Sequence, residues 1–199
     1  MKYGNTTYDS RDNCNAIIET ATNTLIRGCE NTIIPKSVTS IGNRAFMGCD
    51  LISITIPEGV TSIGERAFTS CRMNSITIPA SVTSIGNYAF IYCTQMKDFY
   101  CFAKALPSIN ANAFTSYYIS NATLHVPAAA IEVYSSTIPW SGFGSIVADE
   151  TAIGTIKGNQ NEQNEDVLYD LNGRKLSKLQ RGINIVRDSD GSAKKVLAR

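Results

Sequence analysis

The chain has a single histidine, His125, among its 199 residues. That scarcity excludes the histidine-rich zinc sites, and the six cysteines contain no C-x-x-C pair to replace them. There is no G-x-G-x-x-G, no phosphate-loop pattern, no H-E-x-x-H and no G-x-S-x-G, so the common enzymatic signatures are missing. Charged residues make up only 18%, and 18 Lys+Arg against 17 Asp+Glu leave a formal charge of +1. This balance argues against a basic nucleic-acid stripe and against a polybasic membrane anchor. No apolar run approaches the roughly 18 residues of a membrane span, and no apolar segment of a secretory leader follows Met1.

Uncharged polar residues fill the space that charge leaves: 19 Ser, 18 Thr and 16 Asn, with 23 Ile leading the apolar set. Such a composition favours a β-rich protein with a neutral, hydroxyl-covered surface. The length allows one ordinary domain, or one plus a small appendage.

An internal repeat decides the architecture. The segments TIIPKSVTSIGNRAFMGCDLIS from Thr32, TIPEGVTSIGERAFTSCRMNS from Thr55 and TIPASVTSIGNYAFIYCTQM from Thr77 superpose. Pro35, Pro57 and Pro79 are evenly spaced, and the same interval separates Ile41, Ile63 and Ile85, then Phe46, Phe68 and Phe90, then Cys49, Cys71 and Cys93. A looser and slightly longer fourth copy sets Ser108-Ile109 and Ala113-Phe114 in the places of Ser84-Ile85 and Ala89-Phe90. A period of this length is one coil of a solenoid, which buries its faces only by stacking on neighbours. Within a coil, the inward set is Leu51, Ile54, Ile56, Val60, Ile63, Ala67, Phe68 and Cys71. Ile54 and Ile56 alternate with Ser53 and Thr55 as in a half-buried strand that Pro57 ends. Ala67-Phe68 is expected on a helical or 3₁₀ turn that plugs the coil.

These units, "SITIPEGVTSIGERAFTSC" among them, resemble the BspA-like leucine-rich repeats of bacterial surface proteins, over about Tyr8 to Ala148. The family's leucine two positions after the cysteine is kept by Leu51, replaced by Met73, and slips by one residue to Met96. The fold expected is therefore a β-rich (α/β) repeat solenoid, a leucine-rich-repeat-like right-handed coil of about 22-residue units, with a small C-terminal β module. The organisation reads as an N-terminal hairpin and partial repeat (1–31), the solenoid with its capping unit (32–148), a linker (149–166) and the β module (167–199). Asn5 to Arg11 is read as the end of an earlier coil, and Met1 as a cut in a longer parent.

In the N-terminal hairpin, strands Cys14 to Glu19 and Thr24 to Cys29 flank Thr20-Ala21-Thr22-Asn23. Pairing Glu19 with Thr24 sets Cys14 opposite Cys29, where a disulfide is one expectation and two reduced thiols the other. At the far end, Trp140 and Phe143 are expected to cover the open core. The linker residues 158–166 carry no apolar side chain, and LYDLNGRKL, GINIVR and KKVLAR follow as strand signals, with turns at Asn172-Gly173 and Asp188 to Ser192. This tail resembles the C-terminal module that type IX secretion uses for sorting in Bacteroidetes, which implies export and an extracellular or outer-membrane-associated location.

Three functions are weighed. The first is a non-catalytic surface module whose outward rows, Asn31, Ser53, Ser75 and Asp98, then Ile33, Thr55, Thr77 and Tyr100, meet a partner. Against it stands a merely solvated sheet face where threonine suits the strand. The family resemblance implies adhesion to host extracellular matrix or another surface protein, with the chain a monomer or weak oligomer. The second is a glycan surface, because Tyr92, Tyr100, Tyr117, Tyr118, Tyr134 and Trp140 concentrate in the C-terminal half of the solenoid. The third is an enzyme with a Cys101–His125 pair, opposed by the inward position of Cys101, equivalent to Ile56 and Ile78. Cys49, Cys71 and Cys93 repeat once per coil and so form a line, not the converging set a metal wants; a buried stack is expected. No cofactor, no metal and no nucleic-acid partner is expected.

Overall fold

The computed structural model describes residues 6–103 and 105–149, together with the backbone of four strands beyond them. The chain divides into two compact units, Met1–Asp149 and Glu150–Arg199. The first opens with β1 (Tyr8–Asp9), β2 (Ile17–Glu19) and β3 (Thr24–Arg27), paired antiparallel in sequence order. Beside β3 the pairing turns parallel and runs through β4 (Ser40–Ile41), β5 (Ser62–Ile63), β7 (Ser84–Ile85) and β9 (Ser108–Ile109), seven strands in all. Ser40, Ser62, Ser84 and Ser108 stand in one register, as do Ile41, Ile63, Ile85 and Ile109. The second sheet is wholly parallel: β6 (Ser75–Ile78), β8 (Asp98–Cys101), β10 (Thr123–Val126) and β11 (Ser145–Ala148), in the order β11-β10-β8-β6.

Between the sheets each coil turns twice. At the proline corner the N–H of Val38, Val60 and Val82 donates to the carbonyl of Pro35, Pro57 and Pro79, which closes the same tight turn in each coil. The Ala-Phe segment keeps the 3₁₀-type bonds expected for it at alternate residues, Ala45, Met47 and Cys49 donating to the carbonyls of Gly42, Arg44 and Phe46, but it does not continue as a helix. Arg44, Arg66 and Tyr88 take positive φ, and Gly48, Ser70 and Tyr92 do so again further along each coil. This alternation aims every second N–H at the next coil: Arg44, Phe46 and Gly48 donate to the carbonyls of Glu65, Ala67 and Thr69. Arg66, Phe68 and Ser70 do the same to Asn87, Ala89 and Ile91. A helix would have turned these groups back on itself, whereas here they tie successive coils together.

The interior follows from that ladder. Phe46, Phe68, Phe90 and Phe114 stack with ring centroids 5.2, 5.4 and 5.6 Å apart. Leu51, Met73 and Met96 are all buried, so the slipped third copy still fills the core. Ile76 and Phe99 are paired across β6 and β8, with Ile54 packed at the start of the column. Cys71 and Cys93 are buried, and their thiols donate to the carbonyls of Phe46 and Phe68 at 3.2 and 3.1 Å. The cysteine column thus caps carbonyls of the preceding coil. The end is closed by Tyr134, Trp140 and Phe143, all buried, against Phe99 and Phe114. Tyr134 lies on α2 (Ile131–Ser136), while a short α1 (Ser116–Ile119) precedes β10.

One expectation at the N-terminal side is corrected, and of the two readings of Cys14 and Cys29 the reduced thiols are found. The segment read as the end of an earlier coil instead sends Tyr8–Asp9 antiparallel along β2. Cys14 and Cys29 form no disulfide: Cys14 is buried, Cys29 is exposed, and both are free thiols. The reason is a bulge. Glu19 faces Thr24 and Ile18 faces Leu25 as expected, but Ile17 then faces Arg27, so Ile26 is an extra residue and the register no longer sets the cysteines opposite. Their sulfurs donate elsewhere, Cys14 to the Ala16 carbonyl and Cys29 to the Asn15 carbonyl.

In the second unit, β12 (Val167–Tyr169), β13 (Lys175–Leu176), β14 (Gly182–Arg187) and β15 (Ala193–Ala198) form an antiparallel sheet in the order β13-β12-β14-β15. The expected linker from residue 150 onward and the turns at Asn172-Gly173 and Asp188 to Ser192 lie outside the described residues.

Candidate functional site

The outward face of the second sheet gathers most of the predicted residues. Because side chains alternate along a strand, residues paired across parallel neighbours form rows. One row is Ser75, Asp98, Thr123 and Ser145; the next is Thr77, Tyr100, His125 and Val147. A single bridge from Thr55 to Thr77 carries the second row one coil further. Ser53, Asn31 and Ile33 lie outside the named strands. Asn31 and Ile33 bond instead to the hairpin, through the Asn15 amide on the Asn31 carbonyl and the Ile33 N–H on the Cys14 carbonyl. The second row therefore begins at Thr55 and the first at Ser75, neither of them in the stretch from residue 31 to 33.

Within these rows three side chains interlock. His125 Nε2–H donates to Asp98 Oδ1 at 2.8 Å, across β8 and β10. The imidazole lies flat on the Tyr100 ring, with centroids 4.2 Å apart and planes 16° from parallel. Its side chain keeps 19% exposure against 42% for Asp98, so the carboxylate retains its other oxygen for solvent or a partner. Tyr100 also touches Phe102, at 6.3 Å between centroids. Its phenol is held above the ordinary range, first by desolvation and then by the carboxylates of Asp98 and Asp149. The result is a fixed aromatic surface beside an acidic edge. The register explains how it arises: Thr123 follows Asp98 by the same offset that separates His125 from Tyr100. Sequence reasoning weighed His125 only as a partner of Cys101 and did not join it to Tyr100, although that shared offset was the signal that could have done so.

Tyr117 and Tyr118 stand apart from these rows, on α1, with ring centroids 5.4 Å apart in an edge arrangement. Tyr117 is 74% exposed, and Tyr92 is also exposed, whereas Tyr134 and Trp140 are buried in the closing plug.

Cys101 and His125 do not form a pair. Cys101 projects inward from β8, where its sulfur meets the Tyr134 hydroxyl at 3.3 Å, and His125 projects from the opposite face of the sheet. Burial raises the Cys101 thiol and pushes Cys93 up to about 12, so both are held as protonated thiols. Among the described residues, no group of three or more His, Cys, Asp or Glu side chains gathers to hold a metal ion.

Six copies of the BspA type leucine rich repeat region match residues 23–136, more than half of the sequence. The chain belongs to that family. No curated protein matches it. Among solved structures, a leucine-rich repeat protein from Eubacterium ventriosum aligns with a TM-score of 0.50 at 21% identity, over 72% of this chain and 40% of that one. A leucine rich cell surface protein from Faecalibacterium prausnitzii aligns with a TM-score of 0.39 at 24% identity, covering 63% and 40%. The pneumococcal vaccine antigen PcpA aligns with a TM-score of 0.43 at 14% identity, covering 74% and 49%. The Eubacterium likeness is one of fold, and the chain spans less than half the length of each of these structures. No helix among the described residues is long and apolar enough to cross a membrane.

Proposed function

We propose that this repeat protein is a non-catalytic adhesion module of a bacterial cell surface that binds a protein partner through the outward face of its second sheet. The observation that carries this reading is the locked trio of Tyr100, His125 and Asp98. A tyrosine whose ring is already fixed loses little freedom on contact, and tyrosines of this kind supply much of the energy at interfaces. Thr55, Thr77, Ser75 and Thr123 surround the trio with hydroxyls, which suits a polar rim. The partner class is a host extracellular matrix protein or another surface protein. Export by type IX secretion from a Bacteroidetes cell, with residues 149–166 as linker to a sorting module at 167–199, belongs to the same proposal.

The test is capture of immobilised matrix proteins by the whole chain and by its Tyr100→Ala variant. Loss of capture at unchanged melting temperature supports the reading, and equal capture by both proteins rejects it. A carbohydrate surface is the second reading because Tyr117, at 74% exposure, offers a free ring face at a different place. Binding on a glycan array that disappears in Tyr117→Ala and Tyr118→Ala would favour it.

A further inference from the structure

Among the described residues, one edge of the second sheet is left unpaired. β11 is its last strand, and among the described residues no strand pairs with its far side. The Ser145 and Asp149 N–H groups donate to the Ala122 and Val126 carbonyls of the β10 side. In a parallel ladder, alternate residues point both backbone groups to the same side. Ile146 and Ala148 therefore direct their N–H and C=O groups away from β10, toward the open edge. Edge strands are ordinarily blunted by lysine, proline or a bulge. The sequence Ser145-Ile146-Val147-Ala148 has none of these: it is uncharged, its pairing with β10 is regular over all four residues, and Ser145 and Ala148 are exposed.

We propose that β11 pairs antiparallel with β11 of a second copy of this chain, about a two-fold axis at Val147. The strand is self-complementary in this register. Ile146 of each copy meets Ala148 of the other, and each such pair exchanges two hydrogen bonds, so all four edge groups on each strand are satisfied. Val147 then lies opposite its own copy at the close, non-hydrogen-bonded position, where two β-branched side chains pack well. Each Asp149 faces a Ser145 hydroxyl and not another carboxylate, so no like charges meet. The axis is perpendicular to the sheet, which joins two four-stranded sheets into one of eight strands with both outward faces on the same side. Two Tyr100–His125 surfaces would then meet a multivalent partner together; this consequence alone rests on the function proposed above. Four hydrogen bonds and one side-chain pair make a weak dimer that forms as concentration rises.

Sedimentation equilibrium of the whole chain up to millimolar concentration tests the pairing. The mass is expected to rise from that of one chain toward twice that value. Val147→Lys, which sets two ammonium groups on the axis, and Ala148→Pro, which removes an edge N–H while sparing the ladder to β10, are both expected to remain monomeric. Should the proline variant fail to fold, the lysine variant decides, because its side chain points to solvent. In a Cys29→Ser background, mild oxidation should cross-link Val147→Cys into a dimer reversed by reductant. Ser145→Cys should not cross-link, because its two copies lie roughly 13 Å apart along the strands. A wild type that stays monomeric throughout, a dimer that both edge variants retain, or equal cross-linking at 145 and 147 would overturn the proposal. Loss of matrix binding by Tyr100→Ala with the dimer intact would separate this inference from the functional one.

Discussion

The imidazole of His125 and the carboxylate of Asp98 meet at 2.8 Å across neighbouring strands, with the ring of Tyr100 stacked on the imidazole. Asp98 and Tyr100 belong to one strand and His125 to the next, so the trio exists only when both coils are in register. Its parts carry unequal weight. A half-exposed ion pair contributes about 0–1 kcal/mol to stability, while an interface tyrosine removed by truncation costs about 2 kcal/mol or more of binding. Tyr100→Ala and His125→Ala are therefore expected to weaken partner capture at least about 30-fold, with thermal stability nearly unchanged. Thr55→Ala, at the end of the same row, should change capture by less than about threefold. Surface plasmon resonance against the captured partner, paired with thermal melts, checks both halves.

Phe68 supplies the second prediction. It stacks on Phe46 and Phe90 and is fully buried, so truncation removes a ring from the middle of a continuous column. Phe68→Ala should cost about 3–5 kcal/mol. Phe114→Ala, nearer the end and backed by Trp140 and Phe143, should cost less where those rings can settle into the gap. In a solenoid each coil is stabilised chiefly by its neighbours, so a central defect weakens two interfaces. Urea unfolding monitored by far-ultraviolet circular dichroism gives the ordering, and equal losses at the two positions would contradict it.

Burial of thiols makes the fold sensitive to alkali. Cys93 is raised by desolvation from 9.0 to about 12, and Cys71, Cys101 and Tyr134 are raised by the same cause. Above pH 9 for the cysteines and above pH 10 for Tyr134, the unfolded chain sheds these protons while the folded chain keeps them, so the unfolded state binds fewer protons and stability falls as pH rises. Each such group contributes up to about 1.4 kcal/mol per pH unit, and for Cys93 the loss runs through the window from 9 to about 12. Melting temperature should be flat near neutrality and drop steeply above pH 9. Cys93→Ala should shift that drop upward, and an unchanged alkaline limb would count against the burial argument.

Much of this was legible in the residues. The even spacing of Ile41, Ile63 and Ile85 is the register in which those residues pair, and the looser copy does place Ser108 beside Ser84. The buried plug of Trp140 and Phe143 was readable from the repeat's need for a closed end. What stayed hidden was set by backbone geometry that composition does not display. Positive φ at Arg44, Arg66 and Tyr88 falls on residue types that ordinarily avoid it, so nothing in the sequence marked the ladder it creates. The bulge at Ile26 displaced the cysteines of the hairpin by a single residue. Asp98 and Tyr100 were placed in outward rows and His125 was weighed only beside Cys101; the meeting of the three depends on a longer offset, where the repeat itself is irregular.

Two glycines separate steric from conformational demand and give the last prediction. A Cβ on Gly86 would lie 2.5 Å from the Glu65 nitrogen and 2.6 Å from the Gly64 carbonyl carbon, backbone atoms of the preceding coil that cannot step aside singly. A Cβ on Gly48 would meet nothing within 4 Å, but its φ of +71° is a conformation that side chains resist. Gly48→Ala should therefore cost about 1–2 kcal/mol, the ordinary cost of a left-handed residue with a Cβ. The equivalent positions Ser70 and Tyr92 already bear that cost, at φ of 59° and 60°. Gly86→Ala must push two coils apart, so its cost should reach or exceed the upper part of the roughly 1–3 kcal/mol typical of overpacking. Because Gly86 follows the paired strand Ser84–Ile85, the variant should also raise hydrogen exchange at the Ile85 and Ile109 amides while leaving the hairpin amides protected. A Gly86→Ala protein as stable as wild type would mean that the coils are spaced more loosely than these distances require.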